Sequence, residues 1–216
     1  MQRTKRTDAR NTGQKPGQDV KLYSYVVEHD NGYAPNPYFD CCTLCGCKFE
    51  GGKNIIQLAK KGDWIVGTGG ASRRSAGHGM LIYAMRVDKK IPRTEYFDDP
   101  RFDRKKPKRQ GTYKQARGDN EDPRKDRNKH RRHVLISRHF WYFGAKAVPI
   151  PEQFRQERPC GFALEKTGPG FRSKFEPEDI RQVIAWLEEL KRGIHGDPCG
   201  KIADEHKGTA KCKSSC

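Results

Sequence analysis

The chain has 216 residues, of which only 33% are hydrophobic, and a mean hydropathy of -1.01, so its core must come from a few concentrated segments. Lys and Arg number 44 against 27 Asp and Glu, and the net charge of +17 favours a phosphate-bearing partner, with acidic lipid the weaker alternative. No apolar run reaches the roughly 18 residues of a membrane span, and MQRTKRTDARNTGQKPGQ lacks the apolar stretch of a signal peptide, so membrane spanning and secretion are disfavoured and a cytoplasmic location is expected.

Residues 1–19 are polar and basic and read as a disordered arm. LYSYVV, residues 22–27, is β-branched and aromatic and ends at the turn signal HDNG, as a first strand would. The loop NGYAPNPYFD follows, its prolines and asparagines opposing regular structure, and then the cysteine cluster CCTLCGC. Ile55, Ile56 and Ala59 have helical spacing, Gly62 stops that helix, and DWIVGTG is extended. After the small-residue stretch ASRRSAGHG, the run MLIYAMRV at 80–87 alternates as a strand.

Residues 99–132 carry dense positive charge with almost no aliphatic side chains, which predicts a long basic surface loop. VLISRHFWYFG, residues 134–144, resumes strand character. Over 177–192 the pattern is helical: Pro177 suits the first turn, Glu178 and Asp179 suit the N-terminal dipole, and Lys191 and Arg192 suit the other end. Ile180, Ile184 and Leu187, widened by Val183 and Trp186, form a stripe that should dock on the sheet. Residues 196–216 read as a loose Cys- and Lys-rich tail. The expected fold is α+β, a small curved mixed sheet or a barrel closed by the C-terminal helix, with one domain over residues 20–195.

Six blocks in order, LYSYVVEHDNGYAPNPYFDCCTLCGCK, AKKGDWIVGTGG, LIYAMRV, YFDDPRF, GDN and VLISRHFWYFG, resemble the nucleotide modification associated domain, type 2, over about residues 21–151. The resemblance implies a setting in phage or bacterial DNA-base modification and carries no catalytic mechanism with it. Cys45 stands where the family pattern has a small residue, and GDN runs into Glu121 and Asp122 rather than into an apolar continuation. The order of short helix, Gly-Asp turn and strand is also similar to PUA, EVE and YTH-type barrels, which hold RNA or a modified base in an aromatic-walled pocket.

A base needs a flat partner, and Trp64, Tyr83, Trp141 and Tyr142 are candidate stacking rings, with ordinary core packing as the competing role. Trp141 and Phe143 share one strand face, Phe140 and Tyr142 the other, and only one face is expected to be core. Asn36, Thr43, Thr68, Asp119, Asn120 and Ser137 are candidates for reading a base edge. Phosphate contacts are assigned to Arg73 and Arg74 beside the exposed backbone of GTGG, and to Lys105, Lys106, Lys108, Arg109, Arg131 and Arg132 of the basic run. Asp119 and His139 are the weak catalytic candidates.

Cys42, Cys45 and Cys47 offer three thiols to zinc, against the alternative that Cys42 and Cys47 are small buried hydrophobes; a closed site needs a fourth ligand such as Cys160 or His29. The leading expectation is a nucleic-acid or nucleotide-binding module without a cofactor. An enzyme acting on a modified nucleotide with the same scaffold and a zinc-stabilised interaction protein are the alternatives.

Overall fold

The computed structural model describes residues 20–45, 49–50, 53–106, 132–156, 161–166, 168 and 170–200. The arm at 1–19, Cys47, Asp119, Asn120, Lys108, Arg109, Arg131, Cys160 and the tail beyond residue 200 lie outside them.

In chain order the elements are β1 (Leu22–Val27), β2 (Cys42–Leu44), β3 (Phe49–Glu50), β4 (Lys53–Asn54), α1 (Ile55–Leu58), β5 (Trp64–Gly69), β6 (Met80–Arg86), β7 (Lys89–Pro92), α2 (Arg93–Asp98), β8 (His133–Ser137), β9 (His139–Tyr142), β10 (Val148–Pro149), α3 (Pro177–Glu189) and β11 (Gly193–Ile194). The main sheet runs β1-β5-β6-β9-β11, with β10 also on β6; β1 and β5 are parallel, β5, β6 and β9 antiparallel, and β11 parallel to β9. It is mixed, curved and unclosed, with a register shift at Gly67/Thr68 that bends β5. The open curved sheet, rather than a closed barrel, is therefore the α+β architecture adopted.

Every residue of β1 and β5 is buried, which fits strands covered on both faces. One face packs Tyr23, Tyr25, Tyr83, Met85, Phe140 and Tyr142 against Cys42 and Leu44 of β2, Leu135 of β8, and Ile55 and Ile56 of α1. The other packs Leu22, Trp64, Val66, Leu81, Ala84, Trp141 and Phe143 against Val183 and Leu187 of α3 and against Ile150, Phe154, Phe162 and Leu164. The face assignment for HFWYF is thus correct, but both faces are core. Two-residue alternation tells which rings share a face and is silent on how many layers enclose them.

A second, antiparallel sheet, β2-β8-β7, lies over the first face. The run expected as one strand over 134–144 breaks at Arg138 so that β8 belongs to this sheet and β9 to the main one. Ser137 fixes the corner: its hydroxyl donates to the His139 carbonyl at 2.8 Å and accepts from the His139 amide at 2.9 Å, while the Arg138 amide donates to Asp88 at 2.6 Å. The outer face of the small sheet is capped by α2 and by the turn Pro100–Phe102, where Tyr96 and Phe102 stack at 4.5 Å over Cys41, Cys45, Ile91, Val134 and Ile136. Within residues 99–106, expected as part of a surface loop, Phe102, Lys105 and Lys106 are buried while Pro100, Arg101, Asp103 and Arg104 stay exposed, because Phe102 supplies the apolar anchor the charge density conceals. Likewise Cys199 and Gly200, expected in a loose tail, are buried, and their amides donate to Asp30 at 3.1 and 2.9 Å.

Candidate nucleotide cleft

Between the 39–41 loop, the outer face of the small sheet and the α2–Phe102 cap lies an open cleft of about 640 Å³. Its apolar floor and walls come from Phe39, Cys41, Ile91, Phe102 and Ile136, and its rim from Lys89, Arg101 and Arg138 together with Asp40, Asp88 and Glu95. Cross-strand pairing of Lys89 with Ile136, and of Ile136 with Thr43, puts these positions on one face of the sheet. Arg101 is already committed, its guanidinium donating twice to Asp99 at 2.8 and 2.5 Å. Lys89 and Arg138 are exposed at the rim. Burial pushes the pKa of the Cys41 thiol up, against the opposing pull of Lys105 and Arg138.

Phe39 and Asp40 hold φ values of 60° and 69°, two consecutive side chains in the left-handed region. Each costs about 1–2 kcal/mol there, so the wall requires support from outside itself. Arg104 lies over the Phe39 ring with its guanidinium carbon 4.1 Å from the centroid. Lys105 supplies the remainder: its ammonium donates to the Cys41 carbonyl at 2.6 Å and to the carbonyl and Oδ1 of Asn36 at 3.0 and 3.2 Å.

The residues proposed from the sequence to hold a base are elsewhere. Asn36, Thr43, Trp64, Thr68, Tyr83, Ser137, Trp141 and Tyr142 are all at most 2% exposed, and none lines this cleft. Trp64 and Trp141 stack on each other at 5.7 Å, and the Trp141 indole N–H donates to the Leu190 carbonyl at 2.9 Å. Tyr83 and Tyr25 share a hydroxyl hydrogen bond of 2.7 Å, and the Tyr142 hydroxyl donates to Asp30 at 2.6 Å. Thr68 reaches the Tyr25 carbonyl, and Asn36 and Thr43 exchange backbone hydrogen bonds of 2.8 Å. The aromatic side chains and Thr68 are thus engaged within the core.

The phosphate candidates divide. The amides of Gly70 and Ser72, which a phosphate cradle at GTGG would use, already donate to Ser75 and Glu28 at 2.7 and 3.1 Å, leaving Arg73 exposed beside a closed turn. The Arg74 carbonyl accepts from the Asp30 amide at 2.9 Å. Lys105 is 1% exposed and Lys106, paired with Asp103, is 8% exposed, so neither is presented to solvent. Arg132 is exposed at the start of β8.

The His139 ring Nε2–H donates to the Glu188 carboxylate at 2.7 Å, and the ring packs edge-on to Trp64 and Trp141, which makes it a tie between β9 and α3. Cys42 and Cys45 cannot converge on a metal: three positions apart along an extended segment, they point to opposite faces, Cys42 into the main core and Cys45 under α2. Burial raises both thiols, Cys42 to about 12, and no group of three metal-ligating side chains occurs among the described residues. The missed positions, Phe39, Lys89, Phe102 and Arg138, are scattered over four segments, and only the alternation of Lys89 with Ile91 hinted at a face shared by polar rim and apolar floor.

The scaffold is thus a two-sheet α+β fold carrying an open, apolar-floored cleft with a rim of both charges. The family model described as nucleotide modification associated domain 2 matches residues 19–130 and 121–205. The chain belongs to that family, and the match carries the resemblance past Pro151 through α3 to the segment that ends on Asp30. No curated protein and no solved structure matches the chain. The family description links the domain to nucleotide modification. Among the described residues no helix is long and apolar enough to cross a membrane.

Proposed function

We propose that the protein binds a single nucleotide unit, free or drawn out of a single strand, in the cleft between Phe39 and Phe102, as the recognition module of a base-modification system. The supporting observation is the cleft's combination of an apolar floor with a rim of three cations and three carboxylates. An apolar slot beside an aromatic ring accepts the face of a base, an interaction worth about 1–3 kcal/mol. Arg138 and Lys89 supply phosphate donors at the rim. Asp40 and Glu95 accept hydrogen bonds only, so they favour a base edge that presents amino or imino donors. Equal numbers of lining cations and anions disfavour a phosphate ladder running through the cleft, and a stacked duplex cannot offer a base face to its floor.

Nucleotide titration tests the assignment. Nucleoside monophosphates should bind the native chain, and Arg138→Glu should weaken them by about tenfold or more, the loss of one charge-assisted contact, with an unchanged melting temperature. Phe39→Ala should weaken binding on a similar scale. Equal affinity in native and Arg138→Glu protein would move the site away from this cleft.

A further inference from the structure

Lys105 has a role that its place in a basic run conceals. An ammonium has three N–H donors and no acceptor, and here all three find an oxygen: the Cys41 carbonyl, the Asn36 carbonyl and the Asn36 side chain. Those acceptors bracket Phe39 and Asp40, the two left-handed residues that form one wall of the cleft. Asn36 is itself 1% exposed, and its Oδ1 also accepts from the Tyr38 amide at 3.1 Å, so one buried cation closes the loop at its start and at its end. Burying an amine is costly, and desolvation depresses the Lys105 pKa. A Met or Leu would fill the same space at lower cost, but would take the Lys105 donor from the buried Cys41 carbonyl and leave the two Asn36 oxygens to the Thr43 and Tyr38 amides alone. The carbonyl-rich environment therefore selects a cation in a place where packing alone would not.

We propose that Lys105 is the positioning residue of the cleft: it touches no ligand, and it holds the Asn36–Cys41 wall in the shape that receives the base. This rests on the nucleotide reading of the cleft, and the test separates the two.

The experiment uses the full chain, with amide hydrogen exchange and adenosine monophosphate affinity measured in native and Lys105→Ala protein, with and without n-propylammonium. That amine carries the atoms the substitution removes, and tetramethylammonium is the control that cannot donate. Exchange at residues 39–41 should quicken selectively and nucleotide affinity should fall by about tenfold, with both restored by propylammonium and neither by the control. Exchange that is unchanged, or that quickens uniformly over the domain, overturns the assignment, as does intact affinity alongside a loosened wall. Where Lys105→Ala does not fold, Lys105→Met preserves volume and gives the same two readouts, local loosening upholding the role and uniform loosening ending it. If the native chain binds no nucleotide, the reading of the cleft falls, and the exchange comparison alone decides Lys105.

Discussion

At the scale of single residues, large aromatics that look suited to ligands are holding the fold together. Trp141 is fully buried between Trp64 and the end of α3, and Arg192 lies over its ring at 5.7 Å. Trp141→Ala should cost about 3–5 kcal/mol through the cavity it leaves, read as a drop in the urea midpoint at unchanged slope. A residue whose only role was to stack on a base would show no such loss. The ring's place on its strand face was legible in the sequence, because period-2 geometry is local. Its burial was not, because the covering atoms come from α3 and from Ile150, Phe154, Phe162 and Leu164, which no local pattern ties to β9. The same division applies to the cysteines: Cys42 as a small core residue could be foreseen, whereas Cys45 beneath α2 depended on a six-residue helix that RTEYFD did not announce. Lys105 is the sharpest case, since one lysine within a run of basic residues carries nothing in its surroundings to mark it as internal.

Among the elements, α3 was the most legible, because a 13-residue amphipathic segment states its docking face outright. Its first turn is closed by the Glu176 amide donating to Asp179 at 3.2 Å, and Asp179→Ala should cost about 1 kcal/mol in unfolding free energy. Its far end is fixed by Glu188, which accepts from Arg192 and pairs with His139. Burial holds the His139 pKa below its ordinary value despite the attraction of Glu188. The unfolded chain therefore binds the proton more readily, and the stability His139 contributes is complete above about pH 6.5 and is lost as pH falls through the lower folded value. Unfolding measured between pH 7.5 and pH 5 should show this loss in native protein and a smaller one in His139→Gln. The break between β8 and β9 was illegible for the opposite reason. VLISRHFWYF is uniformly strand-like, and only the Ser137 hydroxyl and the distant Asp88 turn one run into two strands of different sheets.

At the scale of the whole molecule, the charge surplus of the chain is not mirrored in the cleft lining. Residues 107–131 contain nine Lys and Arg against four Asp and Glu, whereas the cleft lining is balanced. A mononucleotide should therefore bind with shallow salt dependence, and a single-stranded oligonucleotide with a steep one, its slope growing with the phosphates neutralised. Titrations from low to high salt with both ligands check this, and parallel slopes would place the charge and the base contact in one site. The composition made the surplus plain from the start; the balanced lining of the cleft depended on which cations the fold consumes internally.

The buried Asp30 carboxylate, held by Tyr142 and by the Cys199 amide, has its pKa raised by burial, and its last donor lies 169 residues away along the chain. This has a consequence for assembly on the ribosome. The turn after β1 is made early in synthesis, but its carboxylate lacks its full set of donors until nearly two hundred residues have been added. Until then Asp30 lacks its Cys199 donor, and closure of the domain is expected to come late in synthesis. A chain stopped just before Cys199 should collapse with Asp30 ionised and hydrated, and should fail to lock the loop that leads to Phe39.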